Sequence, residues 1–169
     1  GIMKSSDFGS TWSWLNTGIP AQNAVQRIEI AIAPSDPNYV YALTCDLDGG
    51  FYALYRSANA GTTWSEQSLI SPNILEWNDG TSTGGQGTYD LVILVDPVDK
   101  NKVYAGGINL WGSADGGTTW DGISFWYNAY GPSIHADQHF LAYNPLKDRF
   151  YICDDGGIYF TDSIITGWS

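Results

Sequence analysis

A chain of 169 residues with 43% hydrophobic residues is long enough to bury a core and too apolar to be intrinsically disordered. Its formal net charge of −11 would repel a phosphate backbone, so the composition argues against nucleic acid as a partner. No apolar stretch is long enough to cross a bilayer, and we predict no membrane span.

One short segment recurs along the chain, at residues 5–12, 57–64 and 113–120, with a degenerate fourth copy at 161–168. We call these copies the box segments. In each of the first three, an Asp or Asn can accept backbone N–H bonds within a hairpin turn, Gly adopts positive φ and Trp packs inward. We therefore predict that Asp7, Asn59 and Asp115 stabilise turns and take no part in chemistry.

A second pattern lies between the box segments: an apolar strand, a turn containing Pro and another apolar strand. Adding the two strands around each box gives four antiparallel strands per repeat, as in one blade of a β-propeller. The sequence therefore predicts an all-β fold with about three and a half blades. We expect the end of one blade at 1–20 and further blades at 25–70, 88–125 and 137–169.

An incomplete ring of blades would leave open sheet edges, whereas propellers close with about four to eight blades. We therefore expect the chain to be a fragment of a larger propeller, completed by the parent chain or by another copy. Cys45 and Cys153 occupy similar places in two repeats that a third separates, so we expect buried free thiols and no disulfide.

The box pattern S-x-D-x-G-x-T-W resembles the Asp-box (BNR) repeat of sialidases, sortilin-type receptors and xyloglucan-hydrolysing glycosidases. The resemblance covers nearly the whole chain and implies a β-propeller, but the box itself is not catalytic in those families. Sialidases hold the substrate carboxylate with three clustered arginines. Arg27, Arg56 and Arg149 are the only arginines here, and their positions in the repeats do not favour such a cluster.

Strand order predicts which face of the propeller binds a ligand. The first-to-second turns and the box segments leave each blade on one face, and all other connections leave on the opposite face. The latter, which we call the loop face, collects the long irregular segments 45–50, 70–88, 121–136 and 153–157. Functional residues concentrate in such loops.

The loop face contains a candidate catalytic carboxylate. Residues 154–159 resemble the Asp-x-Gly-Gly-x-Tyr segment of xyloglucan-hydrolysing glycosidases, which implies that Asp154 is catalytic. The alternative is an ordinary turn, because residues 46–52 repeat the same shape. A hairpin turn near Lys147 would place Asp154 roughly opposite His139 and close to Asp137, the candidate second carboxylate. In the resembling glycosidases the second carboxylate comes from a distant blade.

His135, Asp137 and His139 would point to one side if they open an inner strand. Such a set could bind a divalent metal, contact a substrate, or form a polar plug in the central channel. We predict no cofactor. The acidic loops would suit calcium, but no segment has the spacing of an EF-hand calcium loop.

Aromatic side chains form the last group of candidates on the loop face. The segment 125–130, together with Trp77 and Trp111, supplies flat rings that can stack on the apolar faces of sugars. We predict substrate contacts for Trp126, Tyr127 and Trp77, and for His135 and His139. The alternative for each ring is packing between blades.

These candidates favour an extracellular or cell-surface propeller that is glycoside hydrolase-like and hydrolyses or binds polysaccharide. The alternative is a non-catalytic, sortilin-like propeller or surface scaffold whose loops bind a protein. Fold alone does not separate the two.

Overall fold

A computed structural model describes residues 1–15, 17–68, 72–127 and 133–164. These residues form thirteen strands in four antiparallel sheets. The first sheet contains β1 (Ile2–Lys4) and β2 (Ser13–Leu15). The second contains β3 (Arg27–Ile32), β4 (Val40–Cys45), β5 (Phe51–Ser57) and β6 (Ser65–Ser68). The third contains β7 (Val92–Val95), β8 (Val103–Gly106), β9 (Leu110–Ser113) and β10 (Asp121–Ser124). The fourth contains β11 (Gln138–Asn144), β12 (Arg149–Asp154) and β13 (Gly157–Thr161).

Each sheet is an antiparallel meander in which every strand pairs with the next one along the chain. The first strands of successive sheets contact each other, β3 with β7 and β7 with β11, as strands around a common axis do. This arrangement confirms the predicted all-β fold with four-stranded antiparallel blades. The expected final strand of the last blade falls on residues 165–169, which lie outside the described residues. No helix in the described ranges is long and apolar enough to span a membrane.

Apolar contacts between neighbouring sheets form the core. The largest cluster joins the second and third sheets, and two smaller clusters join the first sheet to the second and the third to the fourth. Two box Trp residues belong to these contacts, since Trp64 packs in the cluster of the first two sheets and Trp120 in the next one. The expected inward packing is wrong for Trp12, which is exposed immediately before β2. Burying one large apolar side chain contributes about 1.5–3 kcal/mol, so these clusters hold the blades together.

The box segments form tight turns around one acceptor side chain. Asp115 Oδ1 accepts the Thr119 backbone N–H at 2.9 Å, and its other oxygen accepts the Thr119 hydroxyl at 2.8 Å. Asp7 makes the same two bonds with Thr11, at 2.8 and 2.6 Å. In Asn59 the oxygen still accepts the backbone N–H of Thr63, at 2.9 Å, while the amide nitrogen donates to the hydroxyl. The shared requirement is therefore an oxygen acceptor at this position.

Backbone hydrogen bonds between turns define the two faces. Ala60 N donates to Asn38 O at 2.9 Å, which places a box segment beside a first-to-second turn. On the loop face, Gly87 N donates to Gly49 O at 2.8 Å. The two cysteines are free, but the expectation of burial is wrong for Cys153, which is only partly buried. It pairs with Phe140 and Ile158 on the outer side of the last sheet, where no further described sheet packs.

Candidate functional site

Residues 72–91, in the long loop before β7, lie on the loop face and are linked by hydrogen bonds among themselves and to β5. Asn73 Oδ1 accepts the Phe51 N–H at 2.8 Å, and its amide donates to the carbonyl oxygens of Ser82 and Gly84 at 3.0 and 2.8 Å. The buried Glu76 accepts the Gly80 N–H at 2.5 Å and the Ser82 hydroxyl. These bonds hold the loop in one conformation and so position the side chains that it carries.

Three exposed aromatic residues are linked on this face: Trp77, Trp126 and Tyr127, which we call the aromatic patch. Trp126 Nε1 donates to the Trp77 carbonyl oxygen at 2.9 Å, and the rings of Trp126 and Tyr127 meet edge to face at 5.7 Å. Trp111 does not belong to the patch, because it is buried in the core against Phe125. Residues 128–130 of the predicted aromatic segment lie outside the described residues.

Asp154 ends β12, where it pairs with Gln138 and with Gly157. Its Oδ1 accepts the backbone N–H groups of Gly156 and Gly157 at 2.9 and 3.0 Å. The residue is 8% exposed, and its Oδ2 has no donor in the described part of the chain. Burial raises the pKa of Asp154, although the two amide bonds and the neighbouring His135 act in the opposite direction.

The turn around Asp154 has a counterpart in the second sheet. Asp46 Oδ1 accepts the N–H groups of Asp48 and Gly50 at 2.9 and 2.8 Å. One oxygen of Asp154 therefore does what a turn carboxylate does elsewhere in the chain. Its second oxygen is buried and has no donor among the described residues.

The expected alignment of His135, Asp137 and His139 on one side is wrong. Strand β11 begins only at Gln138, Asp137 has a φ of 69°, and the register shifts between Gln138 and Phe140. Strand alternation therefore does not apply to these residues. His135 lies against Gly156, Asp137 accepts a bond from Gln86 Nε2 at 3.1 Å, and His139 contacts Asp155. The described residues contain no group of three His, Cys, Asp or Glu side chains that could hold a metal ion.

Asp155 and Tyr89 contact His139, and sequence analysis did not identify either residue. Asp155 Oδ1 lies 2.8 Å from His139 Nε2, and the Tyr89 hydroxyl donates to Asp155 Oδ2 at 3.2 Å. The rings of Tyr89 and His139 meet edge to face at 4.8 Å. The hydrogen bond from His139 lowers the pKa of Asp155, so this carboxyl group stays ionised.

Asp90 is a further carboxyl group that sequence reasoning missed. It lies two residues before β7, is 0% exposed, and adjoins the carboxyl group of Asp137. Burial raises the pKa of Asp90 to about 8, and the negative charge of Asp137 acts in the same direction. Asp90 stands at the loop-face end of an apolar strand, which was the only sequence signal for its position.

Comparison with known proteins gives one relative in sequence and several in structure. No family model matches the chain. The chain is 33% identical over 141 residues to a xyloglucanase of Hypocrea jecorina, a match that covers 79% of this chain and 15% of that protein.

Solved structures share the fold at low sequence identity. The GH74 xyloglucanase from Xanthomonas campestris matches 99% of this chain and 26% of its own, with a TM-score of 0.65 and 17% identity. YCF48 bound to the D1 peptide matches 99% of this chain and 46% of its own, with a TM-score of 0.60 and 13% identity. The chain is thus a partial β-propeller that resembles a xyloglucanase in sequence.

Proposed function

We propose that this chain is part of an extracellular, glycoside hydrolase-like propeller that acts on a polysaccharide at its loop face. The observation that carries the proposal is the aromatic patch, whose three exposed rings share the loop face with Asp154. Exposed flat rings stack on the apolar C–H faces of sugars. The resemblance to a xyloglucanase supports the same substrate class.

In this proposal two carboxyl groups have separate roles in the hydrolysis of the glycosidic bond. Asp154 is the candidate general acid, because burial raises its pKa and leaves one oxygen without a donor. Asp137 is the candidate second carboxylate, with His135 and His139 contacting the substrate beside them. The remaining blades, together with any further carboxylate, come from the parent chain or from another copy. This chain spans only 15% of the xyloglucanase that it resembles.

The test is the release of reducing sugar from a panel of polysaccharides, xyloglucan included, by the full-length protein. Asp154→Asn should lower the rate by about 100-fold or more, because a positioned acid contributes about 10²–10⁴ to the rate. Asp46→Asn is the matched control, since Asp46 makes the same turn bonds in another blade. Unchanged hydrolysis by Asp154→Asn would remove this residue from the mechanism.

A non-catalytic binding propeller is the second candidate. It is favoured by the turn bonds of Asp154, which match those of Asp46, and by the structural likeness to YCF48 bound to a peptide. If the folded full-length protein releases no sugar from any glycan, and its parent sequence has no second carboxylate in the cleft, the binding function is preferred. Trp126→Ala should then weaken ligand binding without changing the fold.

A further inference from the structure

Asp90 is an acid whose side chain is fully buried. It ends the loop before β7, where its backbone N–H donates to Gln86 O at 3.0 Å. The side chain is 0% exposed, and neither carboxyl oxygen has a hydrogen-bond donor among the described residues. An ionised carboxylate in this position would lose its hydration without any compensating bond, so the neutral, protonated form is favoured.

The charged and titratable groups around Asp90 do not supply the missing donor. From β3, Arg27 directs its guanidinium to the carbonyl oxygens of Tyr89 and Leu91, at 2.8 and 3.2 Å. The hydroxyl of Tyr89 donates to Asp155, next to His139. The positive charge of Arg27 therefore acts to lower the pKa of Asp90 but does not outweigh burial. Its N–H groups donate to the backbone on either side of Asp90 and not to the carboxyl group.

Asp137 is the group that faces Asp90 from the segment before β11. Two adjoining carboxyl groups form a hydrogen bond only when one of them carries a proton, and the pair then titrates as a unit. Asp137 Oδ1 also accepts a hydrogen bond from the Gln86 side-chain amide at 3.1 Å. Its φ of 69° lies in the left-handed region, which Asp adopts more readily than most residues other than Gly. The bond from Gln86 thus helps to hold Asp137 beside Asp90.

We propose that Asp90 stays protonated at neutral pH and donates a hydrogen bond to the carboxylate of Asp137, which it positions on the loop face. Full burial assigns the proton to Asp90, and the partial exposure of Asp137 assigns the negative charge to Asp137. Asp90 is a positioning residue, because only Asp137 can reach a ligand. The ligand group that a charged acceptor recognises is a hydroxyl donor, as on an uncharged polysaccharide. This last assignment rests on the proposed function.

The proton can be tested in the full-length protein without any substrate. Infrared spectroscopy at about pH 6.5, where ordinary Asp and Glu are ionised, should show the carbonyl band of a protonated carboxyl group. We expect Asp90→Asn to lower the intensity of this band by the contribution of one carboxyl group. Asp155→Asn, which removes an ionised carboxyl group on the same face, is the matched control and should leave the band unchanged. Absence of the band from the wild type, an unchanged band in Asp90→Asn, or an equal loss in Asp155→Asn would overturn the proposal.

The positioning role needs a readout that simple loss of packing would not move. Asn at position 90 can still donate a hydrogen bond to Asp137, whereas Leu of similar size has no donor. In the kinetics of hydrolysis, Asp90→Leu should raise KM, because no donor then holds the Asp137 carboxylate towards the ligand. Asp90→Asn should retain the wild-type KM, and an equal rise in both variants would contradict the positioning role. If no glycan is cleaved while the infrared result holds, the proposed function fails and the proton assignment stands.

Discussion

At the scale of single residues, the box turns depend on an oxygen acceptor and not on a negative charge. Asn59 holds its turn through the same backbone bond as Asp115, although it carries no charge. Asp115→Ala removes the acceptor for the N–H groups of Thr118 and Thr119, and by analogy with helix N-caps it should lower the free energy of unfolding by about 1–2 kcal/mol.

Asp115→Asn is the matched control for this prediction. It should cost less than half as much as Asp115→Ala in urea unfolding, because Asn oxygen accepts the same backbone bonds. If Asn proved as damaging as Ala, the charge of the carboxylate would matter, and the turn would need a different physical account.

The buried acid Asp90 predicts a second effect at this scale, in the pH dependence of stability. An acid whose pKa rises on folding keeps a proton that the unfolded chain releases, so stability falls as pH rises from its unfolded to its folded pKa. For Asp90 this window runs from about pH 4 to about pH 8. The free energy of unfolding of Asp90→Asn, relative to the wild type, should therefore grow across this window and level off above it.

Unfolding in urea at a series of pH values measures this difference, because titrations shared by the two proteins cancel. Asp36→Asn, an exchange in a turn on the opposite face where the hydrogen bond from Lys100 lowers the pKa of the carboxyl group, serves as the control and should show no such rise. A difference that does not change with pH would contradict the buried, protonated state of Asp90.

Single residues also show which parts of the site could be predicted from the sequence and which could not. Asp7, Asn59 and Asp115 could be recognised because their turns recur with the same spacing. Asp90 and Asp137 could not be paired from the sequence, since their contact depends on the path of two irregular loops that contain no repeat. Trp111 could not be separated from the aromatic patch, because a core Trp and a surface Trp look alike in sequence.

At the scale of elements, the second and third box segments pack closely on the preceding sheet, and their glycines make this close approach possible. Gly117 has a φ of 91°, and a Cβ there would lie 2.1 Å from Leu54 Cδ2. Gly117→Ala combines a backbone conformation that disfavours side chains with an overpacked contact between blades. We expect it to lower the free energy of unfolding by about 2–3 kcal/mol.

Gly116→Ala is the control for this substitution. Position 116 also has positive φ, but Phe8 and Ala60 occupy the equivalent place in the other box turns. A Cβ at Gly116 would lie 2.7 Å from the end of the Arg56 side chain, which can move, and 3.3 Å from the Tyr41 hydroxyl. Thermal unfolding should therefore show a clearly smaller loss for Gly116→Ala, and equal losses would argue against the contact with Leu54.

The elements themselves were predictable where local pattern and tertiary packing agree. Paired apolar runs around Pro-containing turns predicted the inner strands, because the side chains of those strands are buried against the neighbouring sheets. The alternation expected through His135 and His139 failed for a local reason. The positive φ of Asp137 delays β11 to Gln138, and nothing in a period-two pattern signals such a break.

At the scale of the whole molecule, the two terminal sheets expose apolar faces of the kind that neighbouring blades cover elsewhere. Ile30 and Ile32 are exposed on β3 beside the two-stranded first sheet. On the last sheet, Phe140 is 57% exposed and Ile158 is 71% exposed. Internal sheets bury the corresponding surface in the clusters between blades. Exposed apolar patches of this kind favour association.

We therefore predict that the isolated 169-residue chain self-associates with rising concentration, as measured by size-exclusion chromatography with light scattering. Phe140→Thr with Ile158→Thr should weaken this association about tenfold or more, because each large apolar side chain contributes about 1.5–3 kcal/mol when buried. Leu146→Thr is the matched control, since Leu146 is equally apolar and exposed but lies in the turn between β11 and β12. The prediction would be wrong if the chain stayed monomeric at all concentrations, or if the control weakened association as much as the double variant. Either result would show that the apolar faces of the terminal sheets do not drive association.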